Sequence, residues 1–121
     1  MSRLLAAFTT LALAAPSALA ASAAKPIDLD VDRTRAQEAS SIVQADERFI
    51  SLQQQRVDAL KVAWDEAVRQ GHPQEAGRLA VAHWNALRIE LRARVALDHA
   101  RRDFSVAREN LIADEFAIQQ G

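Results

Sequence analysis

The sequence predicts an all-α protein, a long antiparallel hairpin of two helices that packs like a coiled coil. Apolar residues recur at alternating spacings of three and four over most of the chain beyond residue 33. Within that part, glycine and proline come together only in the segment from Gly71 to Pro73. A connection this short makes the two helices antiparallel neighbours.

The first 20 residues have the three-part pattern of a secretory signal peptide. A cation at Arg3 precedes an apolar run from Leu4 to Ala15, and small residues follow up to Ala20. The run is about 12 residues long, whereas a membrane-spanning helix needs about 20. We therefore expect cleavage near Ala20, a periplasmic or secreted protein, and no membrane insertion after cleavage.

Within residues 21–33, the apolar residues Ile27, Leu29 and Val31 alternate with three aspartates, which is the period of a strand. Because no second strand is available to pair with it, we expect an extended leader or linker. The aspartates do not match a calcium-binding EF-hand loop. Such a loop starting at Asp28 needs glycine and glutamate where the chain has Arg33 and Ala39.

The first helix is predicted over residues 34–70. Thr34 and Gln37 have the spacing of a capping box, in which each side chain accepts or donates to the backbone of the first turn. Two polar residues in the predicted contact seam are expected to set its register. The seam comprises Ala36, Ala39, Val43, Asp46, Ile50, Gln53, Val57, Leu60, Trp64 and Ala67. A second apolar strip, with Ile42, Ala45, Phe49 and Leu52, lies beside it.

The turn is predicted at residues 71–73. Gly71 suits the left-handed residue that ends a helix, and Pro73 suits the first position of the next one. Glu75 then lies in the first turn, where it favours the positive end of the helix dipole. His72 falls at the linking position, so we interpret it as a turn residue and not as a ligand or base.

The second helix is predicted over residues 73–118, with two apolar stripes that are offset around its axis. The offset predicts different neighbours along the helix or local unwinding of the coil. Pairing outward from the turn places Leu60 near Trp84 and Gln53 near Leu91. The early stripe is Ala80, Trp84, Leu87, Leu91 and Val95, and the later one is Ala93, Leu97, Ala100, Phe104, Ala107, Leu111 and Ile118.

No residue pattern predicts catalysis, a metal site or a cofactor. The chain has no cysteine and no tyrosine, and it lacks a glycine-rich phosphate loop. His83 and His99 are about 160° apart around one helix and cannot share a ligand within one chain. The 15 basic and 16 acidic residues are interleaved, which disfavours a nucleic-acid partner. Arg88, Arg92, His99 and Arg102 form a partly basic edge that we interpret as a solvated face.

The function expected from these observations is that of a non-enzymatic interaction protein, either adaptor or chaperone-like. A single hairpin is expected to leave an apolar strip uncovered, which then binds another protein or a second copy in a homodimeric bundle. The predicted partner-binding residues are Ile42, Phe49, Leu52, Leu97, Phe104 and Leu111. The alternative is a periplasmic ligand- or metal-binding bundle, in which His83 or His99 meets its symmetry mate across a dimer.

Overall fold

The structure, a computed structural model, describes residues 26–121 as two long helices packed against each other. Helix α1 spans Leu29–Arg69 and helix α2 spans Pro73–Gln120. The predicted all-α helical hairpin is confirmed. The predicted signal peptide, residues 1–20, and the leader up to residue 25 lie outside the described residues. Neither α1 nor α2 contains a stretch apolar enough to cross a membrane.

Helix α1 begins at Leu29 and not at Thr34, so the expectation of an extended leader through residue 33 is wrong. The Asp28 carboxylate caps the helix, accepting hydrogen bonds from the backbone N–H groups of Asp30 (3.1 Å) and Val31 (3.3 Å). Aspartate and threonine are both favoured caps, and aspartate is the stronger of the two. The earlier start adds a further turn in which Leu29 is partly buried, and this burial favours Asp28 as the cap.

The chain reverses direction between Gln70 and Pro73. Gly71 has a φ of 73°, a left-handed conformation that costs glycine nothing and other residues about 1 kcal/mol or more. The His72 N–H donates to the Ala67 carbonyl (3.0 Å) and the Gly71 N–H to the Val68 carbonyl (3.2 Å), which satisfies the end of α1. Pro73 then opens α2, and the His72 side chain makes no capping hydrogen bond.

The predicted seam of α1 is confirmed, since every position in it is buried or half-buried. The early stripe of α2 is wrong. Trp84, Leu91 and Val95 are 53%, 55% and 57% exposed, while the interior positions near the turn carry small or polar residues. One seam therefore runs along the whole of α2 without an offset. It comprises Ala76, Leu79, His83, Ala86, Glu90, Ala93, Leu97, Ala100, Phe104, Ala107 and Leu111.

Three kinds of contact fix the register of the two helices. The Trp64 and His83 rings lie 5.6 Å apart between centroids, and His83 Nδ1–H donates to the Val57 carbonyl (3.3 Å). Further from the turn, Arg101 pairs with Glu47 at 3.5 Å, and near the open end Arg33 pairs with Glu115 at 4.0 Å.

In this register the largest buried side chains meet, since it sets Ile50 (6% exposed) against Leu97 (7%). It also sets Leu60 against Ala86, which is 2% exposed, and corrects the predicted pairing of Leu60 with Trp84. Alanines recur at every seventh position of α2, at Ala86, Ala93, Ala100 and Ala107. Because the interior of α2 is mostly alanine, the core is thin. None of the large side chains described is completely shielded from solvent.

Two carboxylates face each other near the open end of the hairpin. Asp32 Oδ2 is shielded from solvent without a hydrogen-bond partner, and Asp114 lies beside it on α2. The main cause that raises the pKa of Asp32 above its ordinary value is the hydrogen bond that the two carboxyl groups can form once one of them is protonated. Desolvation and the Asp114 charge add to it, and Arg35 opposes it. When both groups are ionised they repel, and neither can donate to the other.

We expect Asp32→Asn to stabilise the hairpin at neutral pH. Because the pKa of Asp32 is raised in the folded state, protonation of Asp32 stabilises the fold. This stabilisation is present at low pH and is lost as pH rises through the raised pKa. Thermal melts of both proteins across about pH 4 to 7 should show the variant gaining most at the high end. The control is Asp30→Asn, which removes an exposed charge that pairs with Arg33 at 3.6 Å and should not stabilise. Equal responses to pH in wild type and Asp32→Asn would contradict this account.

Candidate partner-binding surface

One side of α1 exposes apolar side chains that the hairpin leaves uncovered. Ile42, Phe49 and Leu52 are 55%, 48% and 64% exposed, and Ala45 lies exposed among them. Residues three, four and seven apart share one side of a helix, so the four form a continuous strip. Ile89 and Ala96 of α2 lie on the same side of the molecule. We call the surface formed by this strip and these two residues the Phe49 face.

A groove between the two helices shows that α2 contributes to the same side of the molecule. It has a volume of about 360 Å³, and Ile42 of α1 and Ala96 of α2 both line it. Ile89 is seven residues before Ala96, and Phe49 is seven after Ile42, so each is displaced by only about 20° around its helix. Ile89 is 40% exposed. The remaining lining residues are Ala39, Asp46, His99, Ala100 and Asp103.

The opposite side of α1 is polar. A shallow surface there is lined by Gln44, Glu47, Arg48 and Ser51. Both ion pairs that join α1 to α2 within residues 26–121 lie on this side, because Arg33 and Glu47 are 14 residues apart and so nearly aligned along α1. Polar side chains and ion pairs therefore occupy one side of the hairpin, whereas the Phe49 face presents apolar side chains to solvent.

The predicted partner-binding residues do not form a single surface. Ile42, Phe49 and Leu52 are exposed on α1, but Leu97 is 7% exposed because it packs against Ile50 inside the hairpin. Phe104 and Leu111 are half-buried in the same seam. The predicted set did not include Ile89 and Ala96, which α2 contributes to the Phe49 face. Their spacing of seven residues was visible in the sequence, but it indicates a shared side only once the seam of α2 is known.

His83 lies inside the hairpin. It is 8% exposed, with its ring 5.6 Å from that of Trp64 and 5.3 Å from that of Trp84. Its Nδ1–H is taken by the Val57 carbonyl. A residue in this position is not available to meet its symmetry mate at the surface of the hairpin. His99 is exposed and lines the groove beside Ile42. Across residues 26–121, no three histidine or carboxylate side chains come close enough to hold a metal ion.

A second apolar stripe lies on the outer side of α2. Three of its members, Trp84, Leu91 and Val95, were predicted to face α1, and arginines such as Arg88 separate the members of the stripe. The exposed apolar residues are Val81, Trp84, Leu91 and Val95. Because charged side chains interrupt this stripe and the edge of Trp84 packs against His83, it is less continuous than the Phe49 face.

Comparisons of the chain with protein-family models, with curated proteins and with solved structures found no match.

Proposed function

We propose that this chain is a non-enzymatic interaction protein, an adaptor or chaperone-like hairpin that binds the apolar side of another amphipathic helix on its Phe49 face. The secretory pattern of residues 1–20 favours the periplasm or the exterior as the place where it acts. The observation that carries the proposal is the one-sided surface of α1. Its polar side is joined to α2 by ion pairs, and its apolar side is uncovered.

The binding mode follows from the shape of this face. Ile42, Phe49 and Leu52 lie along one strip of α1, and the groove lined by Ile42 and Ala96 lies beside this strip. A helix laid along the strip would bury the exposed half of each side chain, which contributes about half of the roughly 1.5–3 kcal/mol of full burial. Association also costs at least about 4 kcal/mol in lost freedom. Binding therefore needs the three anchors acting together, which makes loss of any one of them measurable.

Face-specific cross-linking tests the proposal. A photoreactive amino acid replaces Leu52 on the Phe49 face or, as the matched control, its neighbour Ser51 on the polar side. Irradiation is carried out in cells that make the protein and on the purified chain. We expect adducts from position 52 and few from position 51, because only the apolar side is covered by a bound helix.

The masses of the adducts separate the kinds of partner. An adduct of twice the chain's mass identifies a second copy, and any other discrete mass identifies a different protein. Phe49→Glu should abolish the adducts at position 52, since it places a charge in the centre of the buried surface. Equal cross-linking from positions 51 and 52, or none from either, would contradict the proposed function.

A further inference from the structure

We propose that the partner on the Phe49 face is a second copy of this chain, with α1 packed antiparallel to α1 of the second copy around a two-fold axis level with Glu47. This inference rests on the proposed function, because it uses the same face. It adds the identity of the partner and the register of the contact.

The angle between the two apolar sides of α1 fits a four-helix bundle. Each residue of the α1 strip directly precedes a seam residue, so at 100° per residue the Phe49 face is centred about 100° around α1 from the seam that contacts α2. In a four-helix bundle the helices run nearly parallel or antiparallel, and each contacts two neighbours. Seen down the helix axis, the directions to these two neighbours are about 90° apart. A second α1 on this face therefore leaves space for both copies of α2 and closes the bundle.

The spacing of large and small residues along the face suits its own antiparallel copy. A two-fold axis level with Glu47 places Ile42 against Leu52 of the second copy and Ala45 against Phe49 of the second copy. Symmetry repeats both contacts. Large side chains then meet small ones at the centre and two branched aliphatic side chains meet outside them, which is how cores interdigitate.

Charge complementarity supports the same register. Glu38 lies seven residues before Ala45, and Arg56 lies seven after Phe49, so both border the apolar strip on the same side of α1. They are equally distant from Glu47. The antiparallel arrangement therefore brings Glu38 of each copy to Arg56 of the other. Neither side chain takes part in the ion pairs found within residues 26–121.

The same axis is compatible with the charges on α2. In the register of the hairpin, Glu47 is level with the stretch around Ala100. Antiparallel packing of α2 on its copy about that level brings Asp103 near His99 of the second copy. The antiparallel arrangement thus sets Glu38 against Arg56 along the α1 pair, whereas a parallel arrangement in register would set Glu38 against Glu38 and Arg56 against Arg56.

A charge-reversal cycle tests the proposal. Wild type, Glu38→Arg, Arg56→Glu and the double variant are compared by light scattering and sedimentation over a concentration series. We expect a dimer for wild type and about tenfold or weaker self-association for each single reversal, because each creates two like-charge contacts. The double variant restores opposite charges and should associate within about threefold of wild type. Val62→Glu, at an exposed apolar position outside the face, should leave the dimer unchanged.

The outcomes separate this inference from the proposed function. Weakening by both single reversals with recovery in the double variant supports the proposed register, and the recovery also shows that the reversed side chains have not simply unfolded the chain. A dimer insensitive to all three variants, or a monomer at every concentration, overturns the inference. A monomer whose position 52 still cross-links to a protein of different mass leaves the proposed function in place.

Discussion

Leu97→Asp is expected to unfold the hairpin. Leu97 is 7% exposed and packs against Ile50, so the substitution removes one of the largest buried side chains and puts a charge in its place. The expected loss is about 3–5 kcal/mol, comparable to the total stability of many small domains. Circular dichroism during thermal or urea unfolding measures it directly.

The matched control is Leu91→Asp. The apolar pattern of the sequence places Leu91 in the helix contact, but the structure leaves it 55% exposed. This substitution should therefore change the free energy of unfolding by no more than about 0.5 kcal/mol. If Leu91→Asp destabilised the protein as much as Leu97→Asp, the register of the two helices would be incorrect. The early stripe predicted from the sequence, which includes Leu91, would then be the part of α2 that contacts α1.

Ala86→Phe is expected to have the next largest effect. Ala86 is 2% exposed and lies opposite Leu60 in the register of the hairpin, so its position has no space for a larger side chain. A benzyl side chain there must push the helices apart or leave its preferred rotamer, at a cost of about 1–3 kcal/mol. The midpoint of urea unfolding should fall accordingly.

An exposed alanine of the same helix provides the comparison. Ala113→Phe adds the same side chain at a position open to solvent and should leave the midpoint nearly unchanged. A similar fall for both variants would indicate that phenylalanine lowers stability through helix propensity alone, and that Ala86 is not a point of close approach.

The seam of α1 could be predicted from the sequence because its interior residues are mostly apolar at regular spacing. Helix α2 could not be predicted in the same way. Helix α1 already supplies the large side chains Trp64 and Leu60 to the interior, so the facing positions of α2 hold His83 and Ala86. Trp84 and Leu91 lie on the exposed side of α2. An apolar pattern read from one helix measures side-chain hydrophobicity, whereas burial depends on the volume that the other helix leaves.

The start of α1 was ambiguous for a different reason. Asp28 and Thr34 are both suitable caps, and the packing of the added turn together with the stronger capping by aspartate selects Asp28. The candidate surface shows the same division. Its α1 half, Ile42, Phe49 and Leu52, could be identified from the sequence. Its α2 half depends on the register, which is set by contacts between helices such as the one between His83 and Val57.

The central claim, that the Phe49 face is covered in solution, can be tested most directly by thiol labelling. Because the chain has no cysteine, a single one can be placed at Leu52→Cys on the face or at Val62→Cys outside it. Leu52 and Val62 are 64% and 66% exposed in the single hairpin, so an uncovered face gives both thiols similar labelling rates.

If the Phe49 face is covered, the thiol at position 52 is labelled more slowly than the thiol at position 62. Adding Phe49→Glu should make the two labelling rates equal. Without that substitution, equal labelling rates at the two positions, at every protein concentration and in cells, would contradict the central claim.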